Sequence, residues 1–111
     1  MLKYIQLNPQ AEGRPVCFSA TAIEEIYEGF GDFVKWQESL TSGDVKAINK
    51  TLEIAFRAGE LYCKGFDIEC PPPLKCRPSD IILFQDLNRI VEELFEAFVE
   101  DTKREIETQG N

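Results

Sequence analysis

The chain has 111 residues, 43% hydrophobic and 29% charged, with a formal charge of −8 and no histidine. A chain of this size forms one domain around one core and buries about two-thirds of its unfolded surface. Its acidity disfavours phosphate backbones and anionic membrane surfaces as partners, and the missing histidine removes Ser–His and Cys–His catalysis and every His-containing metal site.

Leu2 to Leu7, with Tyr4 and Ile5, reads as a short strand. Asn8-Pro9 and Gly13-Arg14-Pro15 are turn signals, and Val16-Cys17-Phe18 is the expected return strand. A lone hairpin is marginal in water, so this one must lie against helices. Ser19 suits a helix N-cap, with Phe18 and Ile23 placed as a hydrophobic staple. Ala22, Ile23, Ile26, Tyr27 and Phe30 form one apolar stripe, with Glu24, Glu25 and Glu28 outside it. Gly29-Phe30-Gly31 reads as a helix stop rather than a phosphate loop, because no strand leads into it. Asp32 can cap a short helix, Phe33 to Leu40, on which Phe33, Trp36 and Leu40 share a face. Thr41-Ser42-Gly43 is a turn, and Ser42 or Asp44 caps the helix after it.

Val45 to Phe66 is the organising helix. Its apolar positions are Val45, Ile48, Leu52, Ala55, Phe56, Gly59, Tyr62, Cys63 and Phe66, one face at helical spacing. Glu53 precedes Arg57 by four, and Glu60 precedes Lys64 by four, the order that favours ion pairs along a helix. Asp67 to Pro78 carries Pro71-Pro72-Pro73 and Pro78 and reads as an extended, semi-rigid connection rather than a docking motif. Ser79 and Asp80 open the last helical region, with a break expected near Gln85 to Asn88. Leu87, Ile90, Val91, Leu94, Phe95 and Phe98 continue at helical spacing, Val99 widens the stripe, and Thr108 to Asn111 should fray. The expected fold is mainly α, a small helical domain with an N-terminal β-hairpin. Its parts are the hairpin (1–18), helices (19–66), a Pro-rich loop (67–78) and a C-terminal helical region (79–107).

The chain offers no catalytic or cofactor-binding constellation. Cys63, Cys70 and Cys76 flank the proline loop, but their spacing matches no Cys-x-x-Cys pair, and a zinc site would need Cys17 or a carboxylate as fourth ligand. The preferred reading is two buried thiols and two loop thiols, no metal and no cofactor, with an air-oxidised Cys70–Cys76 pair as the minority alternative. The carboxylates Glu92, Glu93, Glu96, Glu100, Asp101, Glu105 and Glu107 lie mostly opposite the apolar stripe and read as a solvated face. No apolar run spans a bilayer and the N-terminus does not read as a signal peptide, so a cytoplasmic protein with reduced cysteines is expected. In so small a domain some aromatics stay exposed and mark contacts. The candidates for protein contact are Phe30, Phe33, Trp36, Phe66, Phe84, Phe95 and Phe98, weighed against the alternative that they fill the core.

A family resemblance adds a function. The segment Phe18-Ser19-Ala20-Thr21-Ala22-Ile23-Glu24-Glu25-Ile26-Tyr27 comes after a hairpin. It precedes a capped helix running into Ala58-Gly59-Glu60-Leu61-Tyr62, a proline-containing loop, a Pro-Ser-Asp-Ile start and an acidic amphipathic helix. From about Val16 to Glu107 this order resembles the tail assembly chaperones of long-tailed bacteriophages and prophages. The resemblance implies a non-enzymatic protein of the host cytoplasm that coats the helical tape-measure protein before the tail tube polymerises, and that leaves the finished virion. It also implies a longer, frameshifted form that recruits tube subunits, this chain being the short form. The cysteines and the triple proline are not features of that family. An apolar groove could take an amphipathic helix, the negative charge would keep the coated rod soluble, and many weak copies would bind firmly together. Self-association is expected as well. The rival reading is an acidic regulatory adaptor, of antitoxin or anti-repressor type, binding a basic partner in a complex that weakens steeply with salt. A small hydrolase or metal enzyme comes last, for want of histidine.

Overall fold

The computed structural model describes residues 2–109, with side chains through Lys103. Two short antiparallel strands, β1 (Lys3–Ile5) and β2 (Arg14–Val16), precede α1 (Ala20–Phe30), α2 (Phe33–Thr41), α3 (Val45–Gly65) and α4 (Leu87–Gln109). The domain is mainly helical with a small hairpin, as the sequence predicts. Glu105, Glu107, Gly110 and Asn111 carry parts of the sequence reading that lie outside the described backbone or side chains.

Local chemistry sets the helix ends. The Ser19 hydroxyl accepts from the Ala22 amide at 3.2 Å, and the Asp32 carboxylate from the Lys35 amide at 2.9 Å. Of the two residues expected to cap α3, Asp44 does so, accepting from Lys46 and Ala47. Each cap satisfies first-turn amides that have no partner within the helix. Gly31, at φ 101°, ends α1 by donating its amide to the Tyr27 carbonyl at 2.7 Å, so Gly29-Phe30-Gly31 is a helix stop.

The return strand lies two residues earlier than predicted. Lys3 pairs with Val16, Tyr4 with Pro15 and Ile5 with Arg14. The cause is where the next two amides go. Cys17 donates to the Ala55 carbonyl of α3 at 3.2 Å, and Phe18 donates to the Asp101 carboxylate of α4 at 2.8 Å. Both donors are engaged outside the sheet, so the ladder stops at Val16. Pro15 is tolerated inside β2 because each strand of a two-stranded ribbon has an unpaired side.

Strand β2 rests directly on α3. At Gly59 an added Cβ would lie 2.2 Å from the Pro15 carbonyl oxygen. The core gathers around α3, whose Ile48, Leu52, Ala55 and Phe56 join Ile5, Leu7, Ile26, Leu40, Ile90 and Leu94. Three residues of the predicted stripe depart from it. Val45, Tyr62 and Phe66 are exposed, although Ile48 and Cys63 in the same end turns are buried, so the buried face is narrower there than the predicted stripe. The predicted Glu53–Arg57 pair is replaced. Arg57 reaches across to Glu25 of α1, and Glu53 accepts from Asn49. No ion pair joins Glu60 to Lys64 among the described residues.

No regular element lies between Gly65 and Pro78. Arg14 Nη2 holds this connection by donating to the Pro72 carbonyl at 2.6 Å. The stretch predicted to open the last helix is instead two 3-10 turns, Pro78–Ile81 and Phe84–Asp86, separated by extended residues Ile82 and Leu83. The α-helix starts at Leu87, inside the predicted break. No helix among the described residues is long and apolar enough to cross a membrane.

Candidate protein-interaction surface

The predicted aromatics separate into two groups. Trp36 is fully buried, which corrects its reading as a contact residue. Its indole donates to Thr51 Oγ1 at 3.0 Å, and Thr51 in turn donates to the Ala47 carbonyl at 2.8 Å. A buried indole keeps its place when its N–H is paired. Around it, Phe18, Phe95 and Phe98 approach edge-on or tilted with centroids 5.0–6.0 Å away, and Phe33 stacks on Phe98 at 5.4 Å. Phe33, Phe95 and Phe98 are half-buried in this cluster, which joins α2 to α4. Phe30 is half-buried too, with the Lys50 ammonium 5.7 Å from its ring centroid. Phe66 and Phe84 are the exposed members, Phe84 being 88% exposed on the second 3-10 turn beside Leu83.

Phe66 belongs to an apolar surface that the sequence pattern left incomplete. At the C-terminal end of α3, Leu61, Tyr62 and Phe66 are exposed, with Ile68 just beyond, and the Tyr62 and Phe66 rings lie 4.7 Å apart. Leu61 falls outside the apolar stripe of α3, which is the signal that marks it as outward-facing. Tyr62 and Leu61 also form one wall of a groove of about 300 Å³ between α1 and α3. Its lining includes the small residues Cys17, Ala22 and Ala58 together with Ile54, and the hydroxyls of Ser19 and Thr21. The Glu25–Arg57 ion pair stands at its edge. Small residues on a groove floor allow a partner's side chains to approach the backbone closely, and an apolar wall provides the area that drives docking.

A larger cleft of about 580 Å³ lies between α3 and the proline loop. It mixes Arg14, Arg57, Lys75 and Arg77 with Glu53 and Glu60. Its three arginines are engaged by the Pro72 carbonyl, Glu25 and Asp80. The charges offset one another and mark no anion site. The cysteines divide as the sequence suggests: Cys17 and Cys63 are buried, Cys70 half-buried and Cys76 exposed. Burial, with Asp101 nearby, pushes the Cys17 thiol up. Among the described residues no group of three or more Cys, Asp or Glu is placed to hold a metal ion. The hydrogen bond from Lys3 to Glu96, 2.8 Å long, raises the lysine and ties β1 to the acidic face of α4. The surface at this end of the domain combines an apolar groove, an aromatic pair beside it and one ion pair on its rim. Comparison of the chain with protein-family models, curated proteins and solved structures found no match.

Proposed function

We propose that this chain is a non-enzymatic tail assembly chaperone of a long-tailed bacteriophage or prophage, the short form, which binds and solubilises the tape-measure protein while the tail is built. The observation that supports this reading is the groove between α1 and α3, continued by Leu61, Tyr62 and Phe66. An amphipathic helix presents its apolar residues at intervals of three and four, and a groove of this kind takes such a face. A tape-measure rod repeats that face along its length, so many copies would coat it. The charge of −8 would keep the coated rod in solution. The protein acts in the host cytoplasm, self-associates on the rod, is absent from the mature virion, and hands over to tube subunits through a longer, frameshifted form.

Co-expression with the long helical protein encoded nearest downstream tests this. Affinity capture at high salt should recover both, with many copies of this chain per rod. A rod that aggregates while this chain stays soluble and separate overturns the reading. A one-to-one complex with a basic protein, lost as salt rises, favours the regulatory adaptor instead.

A further inference from the structure

We propose that the α1–α3 groove selects an amphipathic helix with unlike edges. Lysine or arginine borders its apolar stripe on the side that lies along α1, and aspartate or glutamate on the side that lies along α3. This rests on the proposed docking of a helix in the groove and specifies the chemistry of that helix. The two walls run antiparallel. Arg57 of α3 meets Glu25 of α1, and seven residues earlier Lys50 reaches Gly29 and Phe30 at the C-terminal end of α1. Toward the opposite end, Ser19 and Thr21 share the lining with Leu61 and Tyr62.

The walls carry opposite charge. On α1, Thr21, Glu25 and Glu28 succeed one another at intervals of four and three, which places them on one ridge beside the groove. Glu24 lies one turn before Glu28, and α1 holds no lysine or arginine. Glu24 and Glu28 are exposed and, among the described residues, form no ion pair. Like charges one turn apart on a helix repel, and a cation beside them relieves this. On α3, Lys50, Arg57, Leu61 and Lys64 follow one exposed ridge at helical spacing. A helix lying over the groove sets one edge against each ridge. A basic edge on α1 with an acidic edge on α3 gains attraction on both sides, whereas a second basic edge is repelled by Arg57 and Lys64. Reversing such a helix in the groove exchanges its edges. Unlike edges therefore fix the direction in which it docks, and copies bound along one rod share one polarity.

The test uses the full chain and three helical peptides of about 20 residues, roughly 30 Å long, with one common leucine–alanine stripe. They carry lysine on one edge and glutamate on the other, lysine on both, or glutamate on both. Affinity is read by fluorescence anisotropy at about 0.15 M salt. The unlike-edged peptide should bind at least about fivefold more tightly than either of the others, although the all-lysine peptide is the more attracted to a chain of charge −8. Glu24→Lys with Glu28→Lys should abolish that advantage and leave the circular dichroism spectrum unchanged, since both side chains are exposed. The same two reversals at exposed Glu92 and Glu100 of α4 should preserve it. Tightest binding by the all-lysine peptide, or an advantage that the α4 reversals remove equally, assigns the preference to net charge and overturns the inference. Equal binding of all three, abolished by Leu61→Ser with Phe66→Ser, overturns the inference and keeps the groove as a docking site. Binding of none overturns both.

Discussion

At the scale of single residues, the sharpest constraint is Gly59. Its missing Cβ lets the Pro15 carbonyl lie on α3, where a methyl would sit 2.2 Å from the oxygen. Both partners are backbone, so no side chain can swing aside. Gly59→Ala should destabilise the domain by about 3 kcal/mol through forced separation of β2 from α3, read as a lower urea midpoint. An unchanged midpoint means that the hairpin is not seated as described. Cys17 gives a second residue-scale outcome, in pH. Its folded thiol titrates above its unfolded value, so the neutral form is favoured by folding. Its contribution to stability is complete below the unfolded thiol pKa, roughly 8.5, and is lost as pH rises through the raised folded value. Urea midpoints of reduced protein should fall from neutral pH into the alkaline range. Cys17→Ala should lower the neutral midpoint but flatten that fall, and an equally steep fall in the variant excludes Cys17 as its source.

At the scale of elements, the hairpin is fastened by what it does after Val16. The Asp101 carboxylate accepts the Phe18 amide, and this single bond ties the entry to α1 to the far helix. Asp101→Ala leaves a buried donor unpaired and should cost about 1–3 kcal/mol. Exposed Glu100, one residue away, should be replaceable by Ala within about 0.5 kcal/mol. Faster exchange of the Phe18 amide in the first variant alone checks the assignment. This junction also marks the limit of what the sequence discloses. Caps such as Ser19, Asp32 and Asp44 act on amides two or three residues away, so spacing reveals them. The α3 stripe is legible in its middle, at Ile48, Leu52 and Ala55, where several elements cover it. It misleads at Val45, Tyr62 and Phe66, where the buried face of the end turns narrows to residues such as Ile48 and Cys63. The early end of β2 and the Arg57–Glu25 pair depend on residues distant in the chain, and local patterns carry no trace of them. The turn at Ile81 to Phe84 reads as helix by composition. Its extended Ile82 and Leu83 are set by docking, with Asn8 Nδ2 donating to the Ile81 carbonyl at 2.6 Å.

At the scale of the whole molecule, the proposed function requires an apolar surface that a partner could cover. Aromatic residues alone nominated seven positions. The fold assigns Trp36 to the core, half-buries Phe30, Phe33, Phe95 and Phe98, and leaves Phe66 and Phe84 in two separate settings. Phe84 projects from a 3-10 turn, with exposed Leu83 beside it. Phe66 stands against Tyr62, which leads to Leu61 and into the groove of α1 and α3. Binding energy concentrates where apolar anchors surround a concave site, so the second setting is the one the proposed chaperone role would use. Replacing Leu61 and Phe66 together by Ser should leave thermal stability within about 1 kcal/mol, because exposed side chains contribute little to the fold. The same variant should lose capture of a co-expressed helical rod by at least tenfold, the loss of roughly 1.4 kcal/mol per binding copy. Phe84→Ser should retain capture. If Phe84→Ser abolishes it while the Leu61 and Phe66 variant binds normally, the partner sits on the 3-10 turn and the α1–α3 groove is not the docking site.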